Sequence, residues 1–87
     1  MPVFAVDRDL PGITMEQLAD AQRRAIETSK RFTREGKDVR YLRSVFLPKE
    51  SHCTCLFEAP DAKRVAEVNK AANIPFTRVT EALDLAP

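Results

Sequence analysis

The sequence of 87 residues has no tryptophan, one tyrosine, one histidine and only two glycines. Two glycines cannot form a glycine-rich phosphate-binding loop. One histidine at the end of a predicted strand gives no basis for a catalytic set of nucleophile, histidine and acid. A sheet that binds RNA needs stacking aromatic side chains on its open face, and Tyr41 is the only one that the predicted hairpin places there. These scarcities exclude several frequent site types.

The chain also lacks an excess of charge and a long apolar segment. Lys and Arg total 14, Asp and Glu total 13, and the formal net charge is +1. This balance gives no reason to expect nucleic acid or an anionic membrane as a partner. No apolar run approaches the roughly 20 residues of a membrane helix. Because the N-terminus reaches an acidic residue by Asp7 without a signal pattern, we expect a cytoplasmic protein.

The alternation of apolar residues and turn signals predicts the element order βαββαβ in a single domain over residues 1–87. Thr14 and Gln17 form a predicted capping box, and Gly36 and Asn73 are predicted left-handed helix ends. The predicted elements are strand 2–8, a helix from Thr14 to before Gly36, strand 38–47, strand 52–59, a helix from Pro60 to Asn73 and strand 76–83. This order predicts an α+β, ferredoxin-like fold, with a four-stranded antiparallel sheet and two helices on one face.

The loop Pro48–Ser51 sets the register of the central hairpin, with Leu47 opposite His52 and Phe46 opposite Cys53. The face predicted to lie under the helices carries Leu42, Ser44, Phe46, Cys53, Cys55, Phe57 and Ala59. The opposite face carries Tyr41, Arg43, Val45, Leu47, His52, Thr54, Leu56 and Glu58. This second face is too apolar to be solvated and too charged for a dry core. We therefore expect a partner subunit to cover it, as in a dimeric α+β barrel.

Two stretches are similar to a known family. They are FAVDRDLPG, residues 4–12, and the run from YLRSVFL to FTRV, residues 41–79, with the best-marked pieces at Arg8–Gly12, Cys55–Pro60, Asn73–Pro75 and Arg78-Val79. In these motifs the chain resembles the small nickel-binding-protein-like family, which is also catalogued as a domain of unknown function. The motifs occur in order and span nearly the whole chain.

The resemblance implies a ferredoxin-like fold, a homodimer with facing sheets, and nickel or another divalent metal as the ligand or cofactor. It implies no established enzymatic reaction. Many members carry a histidine near the end of the second helix, where this chain has Val68-Asn69. The difference leaves open whether the subgroup with asparagine there binds metal.

His52, Cys53 and Cys55 are the candidate metal ligands, each with a simpler alternative. A lone histidine needs further ligands, which a second His52 in a dimer could supply, or it is a solvated strand-end residue. The two cysteines share a strand face with their Cα atoms about 7 Å apart, a poor disulfide geometry. They are either reduced, buried small hydrophobes, or accessible thiolates with a soft-metal or redox role.

Four polar residues are the candidate ligand-binding set: Tyr41, Arg43, Glu58 and Asn69. Glu58 is predicted to lie across from Tyr41 and diagonal to Arg43, either as a structural ion pair or as an acid–base carboxylate. Asn69 is an amide on the inner face of the second helix and must be satisfied by the sheet or line a pocket. Asp7 and Arg8 are interpreted as strand-end charges.

Three interpretations of the function therefore remain from the residues and the resemblance. The first is a small dimeric protein that binds a small molecule or a divalent metal. The second is a small cofactor-free dimeric α+β-barrel enzyme, of isomerase, cyclase or oxygenase type, with a polar cluster in an apolar pocket. A purely structural or regulatory interaction domain is a third interpretation.

Overall fold

The predicted order of elements is confirmed by a computed structural model that describes residues 1–87. The elements are β1 (Val3–Asp9), α1 (Met15–Arg34), β2 (Arg40–Leu47), β3 (His52–Glu58), α2 (Ala62–Ala71) and β4 (Arg78–Ala82). The strands form one antiparallel sheet in the order β2-β3-β1-β4. Both helices pack on one face of the sheet, which is the ferredoxin-like arrangement.

The helix ends follow the predicted capping chemistry with one correction. Thr14 and Gln17 form both halves of the capping box at α1, and Gly36 and Asn73 have positive φ values of 84° and 58°. Pro60 was predicted in the first turn of α2, and that prediction is wrong. The Asp61 carboxylate caps α2 by accepting from a backbone N–H at 2.9 Å, so the helix begins one residue after it.

The β2–β3 hairpin has the predicted register near its loop and a different register at its far end. Leu47 lies opposite His52, as predicted, but a β-bulge interrupts the pairing between Tyr41 and Arg43. Tyr41 therefore lies opposite Phe57, on the helix side of the sheet. Its predicted place on the open face is wrong, because the extra residue, Leu42, shifts the alternation by one position.

The core lies between the helices and the sheet. Alternate strand residues supply one side of it, since successive side chains point to opposite faces. The largest fully buried apolar side chains are Val6, Cys53, Phe57, Val65 and Val68. None of the helices is both long and apolar enough to cross a membrane. The face without helices, here called the open face, carries the other set of strand side chains.

Candidate functional site

The pairing of β1 with β3 gathers polar side chains on the open face. Asp9 lies directly opposite His52, and Asp7 lies directly opposite Thr54. Arg78 of β4 faces Asp7 from the other side. These five residues form what we call the open-face cluster. Directly opposed residues in adjacent strands are close enough for side-chain contact, so the register alone brings the cluster together.

The His52 imidazole lies between two carboxylates. Its Nε2 is 3.0 Å from Oδ1 of Asp7, and its Nδ1 is 3.1 Å from Oδ1 of Asp9. Asp7 also accepts a hydrogen bond of 2.8 Å from the Thr54 hydroxyl and an ion-pair contact of 3.3 Å from Arg78. His52 keeps 32% of its side chain exposed. The imidazole is therefore held in a fixed orientation while remaining open to solvent.

These contacts shift the pKa values of two residues in the open-face cluster, His52 and Asp7. The hydrogen bond to Asp9, and then the one to Asp7, raises the pKa of His52 above its ordinary value. The Thr54 hydroxyl, followed by His52 and Arg78, lowers the pKa of Asp7. A negative site that favours a protonated imidazole also favours other cations, because the same carboxylate charge attracts them.

The predicted pairing of Glu58 with Arg43 and Tyr41 is wrong. Glu58 lies opposite Arg40 and forms an ion pair with it at 2.9 Å. Arg43 instead pairs at 2.9 Å with Asp84. Because Asp84 follows the strand at the opposite edge of the sheet, this ion pair draws the C-terminal segment over one end of the open face. The bulge at Leu42 separates the two predicted partners, and their ligand-binding roles remain predictions.

Arg8 is buried on the helix side rather than being a strand-end charge. Its side chain is 2% exposed, and no acidic residue pairs with it. One guanidinium nitrogen donates to Oδ1 of Asn69 at 2.9 Å and another donates to the carbonyl of Pro75 at 3.3 Å. Asn69 donates in turn to the carbonyl of Val65 at 2.9 Å, so the predicted inward amide is satisfied. The Arg8 Nε has no hydrogen-bond partner.

The two thiols lie beside this buried cation. Cys53 and Cys55 are both free, and they point to the helix side as predicted, with their Sγ atoms 3.7 Å apart. The Ser44 hydroxyl donates to the Sγ of Cys55 at 2.9 Å. Since that donation uses the only proton of Ser44, the Tyr41 hydroxyl must donate to Ser44 across their 2.6 Å contact.

This chain of hydrogen bonds continues to the protein surface. The side-chain amide of Gln22, on α1, donates to the Tyr41 oxygen at 3.0 Å. Every donor in the series points toward Cys55, which is the arrangement that stabilises a negative sulfur. The hydrogen bond from Cys53, the Arg8 charge and Ser44 lower the pKa of Cys55 to about 6, against the opposing effect of burial. The same contact and burial raise the pKa of Cys53.

A cavity of about 150 Å³ adjoins the thiols, and we call it the thiol pocket. It lies between α1 and the sheet, and its wall is mostly apolar. The polar part of the lining consists of Arg8, Gln22, Tyr41, Ser44, Cys53 and Cys55. Asn69 is outside this lining and contacts it only through Arg8. The structure thus brings Tyr41 together with the cysteines, rather than with Glu58.

Comparison with known proteins identifies the family. A model of the nickel responsive protein SCO4226-like family matches residues 4–82. The chain belongs to this family. The crystal structure of SCO4226 from Streptomyces coelicolor A3(2) superposes on the chain with a TM-score of 0.80 and 24% sequence identity, covering 97% of this chain and 99% of that chain. No curated protein matches the sequence.

Membership of the SCO4226-like family confirms the resemblance drawn from the sequence motifs. The shared fold with SCO4226 extends over almost all of both chains, whereas three quarters of the aligned positions differ. At 24% identity the comparison establishes the shared fold alone. The candidate site is therefore described from the side chains of this sequence. Those side chains form two polar regions on opposite faces of the same strands.

Proposed function

We propose that this protein is a homodimeric, nickel-related metal-binding protein and that a divalent ion binds at the open-face cluster through His52. The observation that carries the proposal is the position of the His52 imidazole between Asp7 and Asp9. Membership of a family of nickel responsive proteins supports nickel as the ion. The small-molecule alternative has less support, since the bulge separates Tyr41 from Glu58.

The donor atoms suit the ion in type and spacing. Neutral imidazole binds nickel well, and carboxylate oxygens are common additional ligands of divalent ions. Two metal bonds of about 2.1 Å at a right angle place their donor atoms about 3 Å apart. The separation of His52 Nε2 from Asp7 Oδ1 is 3.0 Å. An ion bound to both atoms would displace the proton and lie to one side of the line that joins them, and the separation of the two donor atoms would not need to change.

One chain offers an incomplete set of ligands. No group of three or more His, Cys, Asp or Glu side chains is arranged to hold a metal by itself. A second copy docked sheet to sheet would bring further donors to the cluster. Val45 and Leu47, which are 59% and 42% exposed on the same face, support such docking because exposed apolar side chains gain from burial.

Light scattering tests the dimer. We expect a mass of roughly twice the 9.8 kDa chain at micromolar concentration, because facing sheets bury the open face. Val45→Glu should shift the mass toward the monomer. Met15→Glu is the matched control, since Met15 is 71% exposed on a helix away from this face. A monomeric mass for the wild-type chain contradicts the dimer.

Calorimetry with nickel tests the metal site on protein purified without a histidine tag. We expect saturable heat that disappears in His52→Ala, because His52 supplies the only imidazole. Asp84→Asn is the matched control, since that carboxylate is engaged by Arg43 at the other end of the open face. Absence of heat from micromolar protein with millimolar nickel contradicts the metal proposal and leaves the dimer to be judged separately.

We also propose that the protein works in the cytoplasm. Two free, buried cysteines suit a compartment that keeps thiols reduced. Fractionation of the native cells with an antibody against the chain tests this, and recovery of the protein outside the cytoplasmic fraction contradicts it.

A further inference from the structure

The thiol pocket holds two sulfurs at a spacing that suits a shared ion. Bonds from thiolates to a metal are about 2.3 Å, so two of them separate the sulfurs by about 3.8 Å at a tetrahedral angle and by about 4.6 Å in the linear arrangement of a two-coordinate ion. The Sγ atoms of Cys53 and Cys55 are already 3.7 Å apart. Both lie on one rigid strand, and an ion could bridge them once their side chains turn apart by up to about 1 Å.

The charge of the pocket selects among ions. Arg8 is a buried cation without a carboxylate partner, and its Nε is unsatisfied. Two thiolates, one monovalent ion and the Arg8 guanidinium together carry no net charge. A divalent ion in the same place would leave one buried positive charge uncompensated, which is costly in the protein interior. The pocket therefore favours a monovalent metal ion.

The residues around the two sulfurs orient one of them and leave a path from solvent to both. Ser44 donates a hydrogen bond to the Cys55 sulfur, an outer contact of the kind that orients metal ligands. The cavity adjoins both sulfurs, and the exposed Gln22 stands in its lining. A small ion can thus approach from the solvent side of α1 without unfolding of the strand.

From these observations we propose that Cys53 and Cys55 form a second metal site, which binds one Cu(I) ion in the thiol pocket. Thiolates are the ligands that select Cu(I), the soft monovalent ion among the biological first-row metals. On binding, two Cu–S bonds form, any remaining thiol proton passes to the buffer, and neither copper nor sulfur changes oxidation state. The site is independent of nickel binding at His52.

The test is a competition between the reduced, untagged protein and a chelator that is coloured only when it holds Cu(I), without oxygen. We expect the wild-type chain to remove one Cu(I) per chain. The double variant Cys53→Ser with Cys55→Ser should lose affinity by at least about 100-fold, the upper limit for loss of an outer contact alone. His52→Ala is the matched control and should keep Cu(I) affinity unchanged.

A second measurement needs no variant. Alkylation of the wild-type thiols, followed by mass spectrometry, should be blocked by Cu(I) and unaffected by nickel. The proposal is overturned if the chelator keeps its Cu(I), if the double variant competes as well as the wild type, or if His52→Ala abolishes the competition. Alkylation of the wild-type thiols at an undiminished rate in the presence of Cu(I) overturns it as well, and this result does not depend on the folding of any variant.

Discussion

The hydrogen bond between Arg8 and Asn69 allows a quantitative test of how the helix side is held together. Both residues are buried, at 2% and 1% exposure, and the bond joins β1 to α2 at 2.9 Å. Arg8→Met and Asn69→Leu each remove one partner and roughly preserve volume. The double variant removes both. The comparison of the three variants with the wild type forms a double-mutant cycle.

The structure sets the expected magnitudes. A hydrogen bond to a charged group contributes about 1.5–3 kcal/mol to the free energy of unfolding. When one partner is removed, the other partner stays buried without a hydrogen bond, and its desolvation adds a further cost. We expect each single variant to lose about 2–4 kcal/mol from a total that, for a domain of this size, is about 4–13 kcal/mol. The double variant leaves neither partner of this bond buried and unpaired. Its loss of unfolding free energy should therefore be smaller than the sum of the two single losses by about 1.5–3 kcal/mol.

Urea unfolding followed by circular dichroism measures these free energies under reducing conditions. Protein concentration must be constant throughout, since any dimer makes stability concentration-dependent. Asn69→Leu combined with Thr80→Val is the control, because Thr80 lies on the open face, and the two losses should add within about 0.5 kcal/mol. If the losses of unfolding free energy for Arg8→Met and Asn69→Leu also add within about 0.5 kcal/mol, the hydrogen bond does not couple the two residues and the reasoning is refuted.

Other consequences of the structure can be measured directly. Because the pKa of His52 is raised above 6.5, its contribution to stability is complete below that pH and is lost as pH rises through the folded value, so His52→Gln should cost more at about pH 5.5 than at about pH 8.5 in urea unfolding. For the same reason, nickel affinity should increase across this pH range as the competing proton leaves. Thr14→Ala removes the capping box of α1 and should lower stability by about 1 kcal/mol in thermal unfolding, whereas Glu50→Ala in the hairpin loop should not. Ser44→Ala removes a donor to Cys55, so alkylation of that sulfur at neutral pH should slow while unfolding is little changed.

Local sequence signals were sufficient for the elements and for the near end of the hairpin. The alternation in the strands, the capping box at Thr14 and the four-residue loop Pro48–Ser51 act over a few residues, and each appears in the structure. The bulge at Leu42 has no comparable signal, since neither glycine nor proline stands there. A single inserted position moved Tyr41 to the other face, because strand alternation propagates every local shift.

The two polar regions depend on the pairing of β1 with β3, which joins residues 43–55 positions apart in sequence. No turn fixes that register, so Asp7 and Asp9 could not be placed beside His52 from the hairpin alone. Arg8 was different. Phe4, Val6 and Arg8 alternate on one strand, and the two apolar members indicate that Arg8 faces the core as well. Treating it as a strand-end charge overlooked that pattern.

The same two strand segments serve both regions, and this has a consequence for the proposed metal sites. Alternation sends Asp7, His52 and Thr54 to the open face and sends Arg8, Cys53 and Cys55 to the helix side. Oxygen and nitrogen donors are thus separated from sulfur donors by the thickness of one sheet. If both proposals hold, nickel and Cu(I) should bind together without competition, because each face offers only the ligands that its own ion prefers. Calorimetry of nickel binding to the Cu(I)-loaded chain measures this, and displacement of either ion by the other would show that the two faces do not act as separate sites.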